Sequence, residues 1–222
     1  MNIPLGTLPR TFENDLRAQG FDLIAGVDEA GLSQYMIVAG RGPLAGPVVA
    51  AACIVPDDVH IAGVHDSKKL SAEEREFLFA QLTSDSRVKY ATAVVDHVTI
   101  DEINILQAAL LAMSNAVRGG LCRDDDYLPC VPDYVLVDGN QPPTLHGETP
   151  PPGDSRCYSI AAASIIAKVT RDRLMAEFHQ LYPEYLFGQH KGYGTKAHMA
   201  AIAKHGPCAI HRLTFAPLKH QY

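Results

Sequence analysis

Four acids stand where apolar segments end or turn inward. Asp28 and Glu29 close the apolar run Leu23–Val27. Asp138 closes a second run, Tyr134–Val137. Asp172 lies on a long segment opened by Ser159 and ended by Pro183, whose first half is alanine and serine. On that helix Ser164, Lys168 and Asp172 recur at i, i+4 and i+8 and share one face. Carboxylates gathered at the mouths of buried strands repel and shift one another's pKa unless a cation sits between them. Oxygen-only ligands select magnesium or manganese over zinc. Two such ions about 4 Å apart can activate a water and stabilise the leaving oxygen of a phosphodiester. The competing reading makes these acids caps or ion-pair members, and spacing alone leaves both open.

The elements that must position them follow from periodicity and punctuation. Strands are expected over Leu23–Val27, Val48–Val55, Val88–Val95 and Tyr134–Val137. A short helix is expected from Thr11 to Gly20, and another from about Ala72 to Leu82, opened by the capping box Ser71-Ala72-Glu73-Glu74. One helix is expected from Thr99 to about Val117, with Ile103, Leu106, Leu110, Met113 and Val117 as its core stripe. The helix opened by Ser159 and a last one over Lys196–His205 complete an α/β pattern. The proline- and glycine-rich stretch 140–156 reads as a surface excursion. Asp124-Asp125-Asp126 reads as a solvated turn, since no calcium-loop pattern follows.

The chain of 222 residues fits one domain with a substantial core, 47% of it hydrophobic. No apolar run is long enough to cross a bilayer. The N-terminus has neither a basic nor an apolar leader region and carries Glu13 and Asp15, so a soluble cytoplasmic protein is expected. Five scattered cysteines form no C-x-x-C pair, and Cys53 reads as a small core residue. The net charge of −6 is unevenly spread. Residues 1–155 carry 10 Lys/Arg against 22 Asp/Glu, whereas 156–222 carry 9 against 3 and six of the ten histidines. That asymmetry suits an anionic partner, or a solvated basic helix pair. Lys68 and Lys69, just before the helix at Ala72, could meet a phosphate or simply be solvated.

Taken together, G-V-D-E-A-G, R-G-P-L-A-G-P-V-V-A-A-A, H-D-S-K-K-L-S, T-I-D-E-I-N-I-L-Q-A, Y-V-L-V-D-G-N, S-I-A-A-A-S-I-I-A-K-V-T-R-D-R-L-M, H-K-G-Y-G-T-K-A-H and I-H-R-L-T-F-A-P resemble ribonuclease HII, the type 2 ribonuclease H family, in order and over nearly the whole chain. The resemblance implies an RNase H-like fold: a central mixed β-sheet flanked by helices, with a C-terminal helical segment. A single domain would span 1–222, with a catalytic core over about 20–182 and a basic segment over about 183–222. It implies a metal-dependent endonuclease, using Mn2+ or Mg2+ at a two-metal site. Its substrates would be RNA–DNA hybrids and DNA duplexes containing ribonucleotides, cut to 5′-phosphate and 3′-hydroxyl ends by a monomer that binds no membrane. Asp28, Glu29, Asp138 and Asp172 match the four metal-binding acids. Gly40-Arg41-Gly42 matches the segment that reads the 2′-hydroxyl at the RNA–DNA junction, and Tyr193 the ring that stacks on the adjoining deoxyribose. Lys68, Lys69, Lys168, Lys191 and Arg212 are candidate phosphate contacts.

The sequence departs from the resemblance at one place. The family pattern runs D-E-A-G-R-G unbroken, but here residues 32–40 intervene and Glu29 lies twelve positions before Arg41. The insertion either loops out and leaves both halves in place, or displaces the arginine. The second outcome would give a hybrid-binding protein with impaired catalysis. Leu213-Thr214 also replaces the arginine and serine usual after His211-Arg212.

Overall fold

The computed structural model describes residues 6–32, 42–119, 130–138, 143, 152–153 and 157–220. In chain order these form α1 (Thr11–Ala18), β1 (Ile24–Ala30), β2 (Val48–Ile54), α2 (Ala72–Ser84), β3 (Lys89–Val95), α3 (His97–Ile103), α4 (Ile105–Arg118), β4 (Tyr134–Asp138), β5 (Pro152–Gly153), α5 (Tyr158–Leu181), α6 (Phe187–His190) and α7 (Lys196–His205).

One mixed sheet runs in the order β3-β2-β1-β4-β5. β1, β2 and β3 form antiparallel neighbours, and β4 joins β1 in parallel. Period-two alternation along β2 explains the layers. Ala51 and Cys53 face the core that holds Ala161, Ala162, Ile165 and Ile166 of α5. Val48, Ala50, Ala52 and Ile54 face the opposite core, formed with Ala108, Ala112 and Met113 of α4. A strand buried on both faces reads as the near-continuous apolar run found there. The small residues of α5 let its backbone approach the sheet closely.

Three elements differ from the sequence expectation. β1 continues past Val27 to Ala30, because β2 pairs with it through Asp28↔Ala51, Glu29↔Ala50 and Ala30↔Val49. The two acids therefore sit within a strand, not after it. The helix expected over 99–117 breaks at Asn104, which has φ 67° and caps α4 by accepting from the Leu106 and Gln107 amides. Within the proline-rich stretch, Pro152–Gly153 adds a fifth strand beside β4. The capping box at Ser71 forms as expected, with Ser71 Oγ accepting from the Glu74 amide and Glu74 Oε2 from the Ser71 amide. Cys53 is buried in the core. Residues 124–126 lie outside the described residues.

Candidate active site

β1 and β4 are parallel neighbours whose register runs Ile24↔Tyr134 to Val27↔Val137. That register carries Asp28 and Asp138 to the same end of adjacent strands, with Glu29 one residue on. Asp28 is buried, and its Oδ1 accepts from the Glu29 amide at 2.7 Å. Burial raises its pKa well above the usual carboxylate range, and the charges of Glu29 and Asp138 raise it further. Glu29 is pushed up to about 7, by burial first and by Asp138 second. Its Oε2 is buried without a hydrogen-bond partner. A buried acceptor left in that state is costly, and a cation would satisfy it.

Lys68 is the cation the fold brings to these acids. The Asp66 side chain caps its short turn by accepting from the Lys68 amide, and Ser164 of α5 accepts from the Ser67 amide at 3.0 Å. Desolvation lowers the Lys68 pKa, but the carboxylates of Asp28, Asp66, Asp138 and Glu29 outweigh it and raise the value overall. Lys69 is exposed beside it.

Asp172 sits differently. Its Oδ1 accepts from Lys168 Nζ at 2.7 Å, one helical turn away. It borders a cleft between α2 and α5 with Arg75, Glu76, Arg173 and Lys191. The charges acting most strongly on Asp28 are Glu29, Asp138 and Lys68. The structure thus gathers Asp28, Glu29 and Asp138, and gives Asp172 to Lys168. Among the described residues no three His, Cys, Asp or Glu side chains are already disposed as a metal cage. Sequence reasoning passed over another acid. β5 ends at Gly153, paired with Asp138, and Asp154 follows it in sequence but lies outside the described residues. The signal that β5 would pair with β4 is only two residues long.

On the substrate-reading side, Gly42 is described, whereas Gly40 and Arg41 lie outside the described residues. Pro43, the residue after Gly42, bridges Tyr193 in antiparallel fashion, and the Leu44 amide donates to Gly192 O at 2.8 Å. Gly42 and Tyr193 are thereby brought together. A Cβ at Gly192 (φ +85°) would collide with Ala45 O, so this close approach requires glycine. Tyr193 is half-buried, with the Arg171 guanidinium 6.0 Å from its ring centroid.

Arg212 needs correction as a phosphate contact. It is 0% exposed, and its guanidinium donates to the carbonyls of Gly46, Gly31 and Pro47. No phosphate can reach it.

A buried histidine pair supports the Tyr193 loop. The Tyr193 carbonyl makes His198 Nδ1 a donor (3.0 Å), and the Cys208 amide makes His211 Nδ1 an acceptor (2.8 Å). The 3.1 Å contact between the two Nε2 atoms therefore runs from His211 to His198, with both rings neutral. Burial lowers each to about 4. An unfolded histidine takes up its proton near 6.5, so the stability this pair contributes is complete above that pH and lost as pH falls toward 4. His198→Gln is expected to flatten this part of the Tm profile between pH 7 and pH 5, measured with divalent metal present. An unchanged slope would refute the assignment.

An antiparallel β1–β2–β3 unit, a parallel fourth strand and acids gathered toward one end of β1 and β4 are the arrangement of an RNase H-like fold. The comparisons with known proteins narrow this. The ribonuclease HII family model matches residues 25–218. Ribonuclease HII of Geobacter metallireducens is 52% identical over 94% of this chain and 91% of its own length. That of Chlamydia abortus is 49% identical over 95% of this chain and 92% of its own. The solved PCNA:RNase HII complex from Archaeoglobus fulgidus aligns with TM-score 0.60 and 22% identity over 86% of this chain and 94% of that one. Bst-RNase HIII in complex with Mn2+ aligns with TM-score 0.64 and 20% identity over 92% and 71%. The chain belongs to the ribonuclease HII family, endonucleases that hydrolyse RNA in RNA–DNA hybrids.

Proposed function

We propose that this ribonuclease uses divalent metal to cut both the RNA strand of hybrids and single ribonucleotides embedded in duplex DNA, leaving 5′-phosphate and 3′-hydroxyl ends. One observation carries the metal reading: the orphaned Glu29 Oε2, beside Asp28 and Asp138, where burial and mutual charge hold both β1 acids toward protonation. That donor set fits a hard cation, Mg2+ or Mn2+, and the Mn2+ complex of a protein with the same fold supports it. When bound, the metal supplies Lewis acidity and lowers the pKa of a coordinated water. Asp28, Glu29 and Asp138 hold it. Lys68 offsets the cluster's negative charge at its edge, which supports its reading as a phosphate contact. Gly42 and Tyr193, side by side, face the sugar, where the 2′-hydroxyl distinguishes RNA from DNA. Asp172 orders Lys168, which with Lys191 flanks the cleft as backbone contacts. The protein acts as a cytoplasmic monomer built from one domain.

A DNA duplex with one ribonucleotide, incubated with Mn2+ or Mg2+, tests this. A single cut 5′ of the ribonucleotide, stopped by chelator, is expected. Binding without cutting would instead favour a hybrid-binding protein disabled by the insertion. The same assay separates the remaining acids. Asp172→Asn is expected to cost less than about tenfold in kcat, and Asp154→Asn more, because the residue before Asp154 is paired with Asp138.

A further inference from the structure

Arg171 and Arg212 are 1% and 0% exposed, and among the described residues neither has a carboxylate as a hydrogen-bond partner. All six bonds go to main-chain carbonyls. Arg171 donates to Pro47 O (2.9 Å), Lys191 O (3.0 Å) and Ala45 O (3.4 Å). Arg212 donates to Gly46 O (2.9 Å), Gly31 O (3.2 Å) and Pro47 O (3.2 Å). Burial and the charge of Arg171 bring the Arg212 pKa down to about 9. Two neighbouring buried cations are an expensive way to fill space, since apolar side chains of that size would do it without desolvation.

The bound carbonyls share a feature. Gly31 follows Glu29 by two residues and immediately precedes the insertion. Ala45, Gly46 and Pro47 lie just beyond it, after Gly42. Lys191 opens the loop that carries Tyr193. Each planar fork spans two of these segments, Arg171 the 45–47 stretch and Lys191, Arg212 the same stretch and Gly31, a geometry that an ammonium group cannot reproduce. The fit is tight: a Cβ on Gly31 (φ +102°) would lie 2.5 Å from Arg171 Nε and 2.7 Å from Pro47 O.

We propose that Arg171 and Arg212 form a positioning clasp, holding the metal-binding strand, the Gly42–Pro47 segment and the Tyr193 loop in one arrangement whatever the length of chain between Gly31 and Gly42. This rests on the reading of Gly42 and Tyr193 as sugar-facing residues. The clasp touches no substrate. It substitutes for the short covalent tether that the uninterrupted D-E-A-G-R-G pattern would provide, so the nine extra residues are accommodated without separating metal site from sugar reader.

The test pairs Arg212→Lys with a shortened chain in which Ala30 is followed directly by Gly40-Arg41-Gly42. Kinetics are measured at 15 °C on a duplex with a single ribonucleotide, after circular dichroism shows that each variant is folded. In the full-length chain Arg212→Lys is expected to raise KM about tenfold or more, with a smaller change in kcat. In the shortened chain, where the tether restrains the same segments, the Arg212→Lys defect is expected to shrink to about threefold or less. A defect of equal size in both chains, or none in either, overturns the proposal. If Arg212→Lys does not fold, Arg171→Lys is compared in the same way. Failure of both to fold in either chain length overturns it too, by making the pair purely structural. An unmutated chain that does not cut the ribonucleotide duplex would instead refute the proposed substrate, so the two failures are distinct.

Discussion

Asp138→Asn and Glu29→Gln are each expected to abolish detectable cleavage and yet raise the melting temperature of the metal-free protein at neutral pH. The loss in kcat is expected to be on the order of 10³ or more, the scale for a charge that stabilises a phosphoryl-transfer transition state. The stability gain follows from linkage. Glu29 ionises near 4.5 in the unfolded chain and near 7 in the fold. The folded chain therefore binds this proton more tightly. The contribution is complete below 4.5 and is lost as pH rises through 7. At pH 8 the metal-free fold must bury an ionised Glu29, at a cost of about 3.5 kcal/mol, given about 1.4 kcal/mol per pKa unit. Glutamine carries no such charge, and Asp138→Asn relieves the same repulsion from the other side. For a chain of this length roughly 7–14 °C in Tm should be recovered. Divalent metal should stabilise the unmutated protein in the same way and stabilise Glu29→Gln far less. Thermal melts in chelator and in Mn2+, beside a cleavage assay, decide it. A Glu29→Gln protein that melts lower without metal, or still turns over, would remove Glu29 from the metal site. Hybrid binding should be largely spared in both variants, since Lys68 and the Tyr193 loop are untouched.

Much of this site could be read from residue order, and the reasons are local. Adjacent acids after a buried run, a second acid-terminated run and a capping box are signals contained within a few residues. Their convergence follows once β1 and β4 pair in parallel. What escaped sequence reasoning depends on distant partners. Arg212 looks like any cation in a basic tail, because its three carbonyl partners lie more than 160 positions away. With Arg171 it removes two of the nine cations that made the last third look like a nucleic-acid face. Asp172 is different: its i, i+4 pairing with Lys168 is local and follows from the shared helix face already legible in the sequence. The break at Asn104 was hidden by an apolar stripe that stays in phase on both sides. The insertion separates Glu29 from Arg41 by twelve positions, and Arg41 lies outside the described residues; its flanks are what the fold specifies. In three dimensions Ala30 remains paired with Val49, and Pro43 sits against Tyr193.

Gly26→Ala is expected to be the most destabilising single-methyl change in the chain. Gly26 lies at the centre of β1, two residues before Asp28, and the first turn of α5 rests directly upon it. A Cβ there would overlap the Ser159 carbonyl group and the Ile160 amide, which are backbone atoms with no rotamer to change. α5 cannot simply lift away. Its N-terminus is fastened by buried Glu13, whose Oε1 accepts from the Ser159 amide (2.8 Å) and hydroxyl (2.7 Å). Tyr158 is likewise tied to Ile61. β1 cannot retreat either, being paired on both sides with β2 and β4. Ordinary overpacking costs about 1–3 kcal/mol because side chains yield; a backbone-on-backbone overlap held from both sides should exceed about 4 kcal/mol. Against a total stability on the order of 5–15 kcal/mol, that leaves a protein with Tm lowered by about 10 °C or more, or one that does not fold. Gly6→Ala is the control, since a Cβ there meets nothing within 4 Å. The measurement is a thermal melt of both variants with metal present. If Gly26→Ala melts within about 2 °C of the parent, the close approach of α5 to β1 is not what sets the geometry of the acids. If it melts early but folds in the cold, cleavage should fall as well, because any shift that relieves the overlap moves β1, and Asp28 and Glu29 move with it.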